Sequence, residues 1–349
     1  MKVHPDLSDF YWYPYQMHGF SSNIYAIDQG DEMWLVDCGT SRFHFFKSFL
    51  SAFKKDGLNP SKITKIFFTH AHPDHCSAAH KLQNLCSPTF FISEKEYEWF
   101  FNAPNPSLKD RANQSGTSQN AHENNSFDGF WRSQADAAGE YWEILFPLPN
   151  KLLTSLTALQ MGSLPLLNEK LQKIQTNEAE KTKIRGTKYE MEVIPTPGHS
   201  PGHLSFYFPQ AQFLIAGDIF GRIPNKPVLN LPTAEFSSYK SSIVKLKQYP
   251  VSSWGTGHGK TIGKGTDQFS EMRDRTLENL LRVEEIGKNI SELNDRNDEK
   301  NIEKEFIIKK IENLSKEILQ KFGKSPWKAF ERKMVAFSIL KEKITNKLQ

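Results

Sequence analysis

Cysteine is scarce in this sequence, with three in 349 residues: Cys38, Cys76 and Cys86. An odd, sparse count argues against a disulfide framework and fits a reducing compartment. Long apolar runs are missing too, since no stretch approaches the roughly 20 residues that a membrane span needs. The start, Met1-Lys2-Val3-His4-Pro5-Asp6, has no basic segment followed by an apolar run, so no secretory signal is expected. Nor does one sign of charge dominate. Lys and Arg total 44 against 40 Asp and Glu, for a net charge of +4. Over this length that balance does not imply a nucleic-acid partner. The expectation is a soluble, cytoplasmic protein with no membrane partner.

What the chain does have is ordinary globular composition, with 38% hydrophobic and 24% charged residues. Its length allows one large core and an appended extension. Phe20–Ile27 and Met33–Val36, split by an acidic glycine turn, read as a hairpin. Ser41–Lys55 places Phe45, Phe46, Phe49, Leu50 and Phe53 at helical spacing, with Gly57 and Pro60 as stop signals. Ile63–Thr69 reads as a buried strand running into a histidine-rich loop, Ala78–Leu85 as a short helix and Thr89–Ser93 as the next strand. This is strand–helix–strand order with a polar cluster at a strand's C-terminal end, the usual place for a site in an α/β sheet.

The pattern then changes. Asn102–Ser126 is rich in Asn, Ser, Gln, Pro and Gly and reads as a long loop. Phe127–Phe146 is aromatic-rich, and Leu152–Ile174 has helix-like apolar spacing. Residues 94–186 are therefore expected to form an insertion between two halves of one sheet domain spanning 1–265. Strands return at Tyr189–Ile194, His203–Phe208 and Phe213–Ala216. Residues 266–349 read as a helical extension, with helices over Met272–Ile286, Ile302–Phe322 and Pro326–Leu348. There is no solenoid-type repeat.

The chemistry concentrates in Thr69-His70-Ala71-His72-Pro73-Asp74-His75. Neutral imidazole and carboxylate are the donors that borderline divalent metals prefer. On a tight loop His70 and His72 can face one ion while Asp74 and His75 face a neighbour. This loop resembles the H-x-H-x-D-H signature of the metallo-β-lactamase superfamily. Further segments are similar to that family's later motifs, in order: Thr196-Pro197-Gly198-His199, Ala216-Gly217-Asp218, and Gly255-Thr256-Gly257-His258-Gly259. Val36-Asp37-Cys38-Gly39 resembles its first motif.

The resemblance implies an α/β fold, a four-layer αββα sandwich, holding two divalent metal ions, with zinc expected and iron or manganese as alternatives. It puts one ion on His70, His72 and His199 and the other on Asp74, His75 and His258, with Asp218 between them and Asp37 buttressing the ligand histidines. It further implies that metal-bound hydroxide attacks the substrate, with Asp74 as the catalytic group that orients it and carries a proton. His203 falls outside the set and reads as a packed or hydrogen-bonding histidine. Cys76 reads as a small buried residue, and His44, His80 and His122 as ordinary packing or surface residues.

For substrate, the motifs resemble the glyoxalase II-like and thioesterase-like members, which implies a small-molecule substrate and hydrolysis of its thioester, ester or lactone bond. Two alternatives stand beside it. Residues 309–349 hold 11 Lys and Arg against 4 Asp and Glu, and the tail loosely resembles that of the lactamase-like protein 2 relatives, which implies an endoribonuclease. A solvated helix face accounts for the same charges. The other alternative is a mononuclear iron persulfide dioxygenase, against which the full set of seven ligands counts.

Overall fold

The computed structural model describes residues 1–4, 6–17, 20–41, 43–101, 145, 170–176, 181–221, 228–229, 232–259, 262–292, 304–322 and 329–348. The chain opens with an antiparallel meander of β1 (Lys2–His4), β2 (Leu7–Met17), β3 (Phe20–Asp28) and β4 (Met33–Val36). The β3–β4 pair is the expected hairpin, and Gly30 turns it with a positive φ of 92°, a conformation that glycine adopts without strain. Strand β2 is longer than any expected near the N-terminus. Its aromatic run Phe10-Tyr11-Trp12-Tyr13 leads into Pro14, which as a rule demotes a strand, yet Pro14 stands opposite Asn23 in the ladder.

Helix α1 (Phe43–Lys55), β5 (Ile63–Phe67), the single turn α2 (Pro73–Cys76), α3 (Ala79–Cys86) and β6 (Thr89–Ser93) follow. Strands β4, β5 and β6 run parallel, and β7 (Leu171–Ile174) joins β6 to complete a seven-stranded sheet. The helical spacing of Leu152–Ile174 is thus misleading over its last four residues. There, pairing along a sheet edge overrides a local helical pattern, as tertiary context often does. The rest of that stretch lies outside the described residues. So do the Asn102–Ser126 segment and, apart from Leu145, the Phe127–Phe146 segment.

The second sheet contains β8 (Thr182–Arg185), β9 (Glu190–Pro195), β10 (Leu204–Phe208), β11 (Phe213–Ile215), β12 (Ser253–Gly255) and β13 (Gly263–Lys264), ordered β13-β12-β11-β10-β9-β8. Helix α4 (Phe236–Lys245) precedes β12. The C-terminal helices are α5 (Thr266–Glu292), α6 (Lys304–Phe322) and α7 (Ala329–Leu348).

Strand alternation sorts the side chains into layers, because successive residues face opposite sides of a sheet. Tyr25, Ile27, Trp34, Val36 and Phe67 of the first sheet meet Val193, Leu204, Phe206, Phe213 and Ile215 of the second, forming the inter-sheet core. Ile24, Ala26, Leu35 and Ile66 point the other way, onto Phe45, Phe49 and Phe53 of α1 and Leu82 of α3. On the opposite face, Tyr207 and Leu214 pack with Tyr239 and Ile243 of α4, and with Leu280, Ile311, Leu314 and Val335 of the last three helices. The result is the four-layer αββα sandwich. Its C-terminal helices share one core with the second sheet.

This architecture gathers one set of strand ends. Strands β4, β5 and β6 run together, as do β9, β11 and β12, so their C-terminal ends open along one edge. Backbone bonds join the loops there: Leu204 donates to Thr69 at 2.8 Å, Asn23 to Gly257 at 2.9 Å and Gly257 to Gly217 at 2.8 Å.

Candidate metal centre

The His-rich segment leaves β5 through Phe68 and Thr69. Pro73 then starts the turn α2, whose first residues are Asp74 and His75. Pro suits a first helical position because its missing N–H has no partner to lose. The effect is to send His70 and His72 off one stretch of loop and Asp74 and His75 off the next turn. His199 follows β9, Asp218 follows β11 and His258 follows β12.

All seven expected donors converge. Three sets have ligand atoms within 4.8 Å of one another: His70, His72 and His199; His70, His75 and Asp218; and Asp74, His75 and His258. His199 Nε2 lies 3.3 Å from His70 Nε2 and 3.0 Å from His72 Nδ1. His75 Nε2 and His258 Nε2 are 3.4 Å apart. Asp74 Oδ2 sits 3.8 Å from His75 Nε2 and 3.6 Å from His258 Nε2. Asp218 lies between the groups, with Oδ2 2.8 Å from His258 Nε2 and 3.5 Å from His199 Nε2, and Oδ1 3.6 Å from His75 Nε2.

Outer contacts decide which ring nitrogen faces inward. His75 Nδ1 pairs with Asp37 Oδ2 at 2.8 Å, and His199 Nδ1 lies 2.9 Å from the Val228 carbonyl. His70 Nδ1 lies 2.9 Å from Thr69 Oγ1, which in turn lies 2.9 Å from Asp37 Oδ2. If Thr69 donates to the carboxylate, its oxygen accepts from His70, so one aspartate orients two histidines. A partner on the outer nitrogen leaves the inner one as a lone-pair donor, the arrangement usual around metal-binding histidines. Asp37 adopts φ +58°, a strained conformation for a side-chain-bearing residue. Thr69 N–H holds its Oδ1 at 2.8 Å.

Charge in the metal-free cluster is strongly biased. Burial, reinforced by neighbouring imidazoles, pushes His70 and His72 well below the usual histidine range, so both are neutral and ready to donate. Burial also opposes a charge on His75, but the carboxylates of Asp218, Asp74 and Asp37 outweigh it and lift His75 to about 10. Burial likewise disfavours the Asp218 carboxylate, yet His258, His75 and His199 hold it well below the carboxylate range.

The donor set fits a divalent metal on structural grounds. Among the described residues, Asp218 Oδ1 is a buried oxygen with no hydrogen-bond donor. Gly257 keeps the space beside it open, since a Cβ there would lie 2.0 Å from Asp218 Oδ1 and 2.8 Å from His75 Cε1.

The remaining readings fall out plainly. Cys76 is buried and donates to the His72 carbonyl at 3.3 Å. His44 and His80 are exposed, His80 bonding the Ser77 carbonyl at 2.9 Å, and His122 lies outside the described residues. His203 is buried and hydrogen-bonded, with Nε2 accepting the Asp218 amide at 2.9 Å and Nδ1 lying 2.9 Å from Thr196 Oγ1. One residue is missed by sequence reasoning altogether. Glu96 is fully buried beside the two histidine loops, and burial lifts its carboxyl to about 7 against the pull of its donors. Its only signal in the sequence is an acidic residue just after a strand.

Comparison with known proteins agrees with this geometry. The profile of the metallo-beta-lactamase superfamily matches residues 18–258, from the end of β2 to the last histidine of the cluster. The chain belongs to the metallo-β-lactamase superfamily, and it is a metal-dependent hydrolase of that fold. A probable metallo-hydrolase, YybB, from Bacillus subtilis (strain 168) is 25% identical over 215 residues, 62% of this chain and 68% of that protein. A ribonuclease Z from Pediococcus pentosaceus is 41% identical over 49 residues, and the match spans only 14% of its length. The fold is shared with a metallo-beta-lactamase family protein from Thermus thermophilus (TM-score 0.62, 18% identity, 97% of this chain and 94% of that one). It is shared also with a beta-lactamase domain protein from Burkholderia ambifaria (TM-score 0.56, 16% identity, 99% and 88%). Among the described residues, no helix is long and apolar enough to cross a membrane.

Proposed function

We propose that the chain is a dinuclear hydrolase of a thioester or a related carboxylic ester or lactone, with zinc as the metal. The observation that carries the reading is the convergence of seven donors into overlapping sets within 4.8 Å, too many for one ion of four ligands. His70, His72 and His199 would hold one ion and Asp74, His75 and His258 the other, with the Asp218 carboxylate lying between the two sets. Residues 1–265 supply the whole set and 266–349 follow as the C-terminal helices, while 94–186 stands as the insertion between the half-sheets except for β7 and β8, which belong to the sheets themselves. Bound there, two divalent ions would supply Lewis acidity and make water acidic enough to ionise near neutral pH.

The chain's own groups do the rest. Asp74 is the proton-handling residue. Its Oδ2 faces His75 and His258, and its backbone carbonyl is fixed by the Ser22 hydroxyl at 2.6 Å. From that position it orients the attacking water and accepts its proton. Asp37 and the Val228 carbonyl keep His75 and His199 aimed. The ribonuclease Z match favours phosphodiester cleavage as a second reading.

The test is metal content per chain by elemental analysis of protein purified without chelating tags, followed by a screen of thioesters, lactones and RNA. About two zinc ions per chain and turnover of an acyl substrate support the proposal. One iron per chain redirects it to persulfide oxidation, and RNA cleavage alone redirects it to the nuclease reading.

A further inference from the structure

The cluster described above makes no use of Glu96, although this carboxylate is completely buried beside it. Glu96 closes the helical turn Glu94–Glu96 after β6, and the Ser93 hydroxyl oxygen caps that turn by accepting the Glu96 amide at 3.1 Å. From there the side chain reaches two loops at once. Oε2 accepts the Ala71 amide at 2.9 Å. Oε1 accepts the Gly202 amide at 2.9 Å and the Ser200 hydroxyl in a short bond.

The identity of these donors matters more than their number. Ala71 lies between His70 and His72, and Ser200 follows His199 directly. One carboxylate therefore ties together the two loops that carry a complete three-histidine set. Those loops come from different sheets, one after β5 and the other after β9. Room for the tie is specific, because a Cβ on Gly202 would lie 2.3 Å from Ser93 Oγ and 2.5 Å from the Glu96 amide nitrogen. Only glycine lets the second loop settle this closely on the turn.

We propose that Glu96 is the positioning residue of the His70–His72–His199 site, holding its two loops at a fixed separation so that the three nitrogens converge before metal arrives. The proposal rests on the two-metal reading above. The physical case is that of outer-contact control of a metal site: imidazoles aimed in advance bind metal without paying the ordering cost at the moment of binding. All three of Glu96's partners act here as donors, so an ionised carboxylate satisfies them and an amide cannot. Glu96→Gln keeps the shape but turns an N–H₂ group toward one donor.

The test titrates metal-free protein with zinc against a chromophoric chelator, with His199→Ala and His258→Ala variants identifying which binding step belongs to which site. For Glu96→Gln we expect affinity at the His199-containing site to fall on the order of 10–100-fold, with the His258-containing site changed less than about threefold, and Glu96→Asp or Ser200→Ala to give smaller losses at the same site. The melting temperature of the metal-free variant is read in parallel. Equal weakening of both sites alongside a large drop in that temperature marks Glu96 as a general strut and overturns the proposal. Unchanged affinity in a folded Glu96→Gln protein overturns it as well. If Glu96→Gln does not fold, Ser200→Ala decides on the same site-selective criterion. Wild-type protein that binds no zinc sinks the two-metal reading itself, an outcome distinct from loss of selectivity in the variant.

Discussion

The Asp218 amide donates to Nε2 of His203 at 2.9 Å, so a histidine outside the donor set fixes the loop of the central carboxylate. For Nε2 to accept, the ring proton must sit on Nδ1, which faces Thr196 Oγ1. Burial pushes His203 down to about 3, and the ring stays a neutral acceptor through the physiological range.

Replacing His203 by alanine leaves the Asp218 amide without its partner and opens a cavity. The expected loss is about 2–4 kcal/mol of stability, together with weaker metal binding. Denaturant unfolding of the metal-free and zinc-loaded forms checks it. An unchanged midpoint in both would show that the loop holds itself.

Removing the metal should expose a pH dependence set by His75. Its pKa stands near 6.5 unfolded and about 10 in the folded, metal-free chain, because surrounding carboxylates outweigh burial. Folded-state pKa above unfolded means the stabilising charge is fully present below 6.5 and lost as pH rises through 10. Metal-free protein should therefore melt progressively lower as pH rises through this window. Metal binding displaces the proton from His75, so calorimetry in buffers of different ionisation enthalpy should register proton release on loading. Buffer-independent heats would contradict it.

Asp37→Asn separates charge from backbone strain. Asparagine tolerates the positive φ of this position nearly as well as any non-glycine residue, yet it cannot give His75 and Thr69 the same charged acceptor. A loss of about 3–5 kcal/mol is expected from breaking a buried pair, with the His75-containing metal site weakened about 10–100-fold. Chelator competition and thermal melting give the two readings.

Gly257→Ala should empty the site without unfolding the chain, since its Cβ would overlap Asp218 Oδ1 and crowd His75. Near-native circular dichroism with less than one zinc per chain is the expected outcome. Two zinc ions retained would mean the loop yields.

Asp74→Asn addresses the chemical step. If Asp74 carries the proton, kcat on an identified substrate should fall about 100-fold or more, while an amide oxygen keeps much of the metal affinity. Near-normal kcat with full metal would remove Asp74 from that role.

The seven residues that converge were legible in the sequence because metal chemistry restricts residue type and loops restrict spacing. The layers were legible in part, because the short apolar runs Met33–Val36 and Phe213–Ala216 read directly as buried strands. Glu96 was not. A single acidic residue after a strand has no local pattern, and its role depends on Ala71 and Gly202, far away in sequence and brought close only by folding. Strand β2 escaped through Pro14, and β7 through a helical spacing that a sheet edge overruled.

The donors divide between the two sheets: His70, His72, Asp74 and His75 follow β5, whereas His199, Asp218 and His258 follow β9, β11 and β12. The cluster is thus a seam, and its gauge is the thickness of the aromatic filling beneath it, where Phe67 meets Phe206 with ring centroids 5.9 Å apart. Such interiors are nearly incompressible. A change of volume at Phe206, which is wholly buried, therefore shifts the two halves of the cluster against each other from a position with no access to solvent.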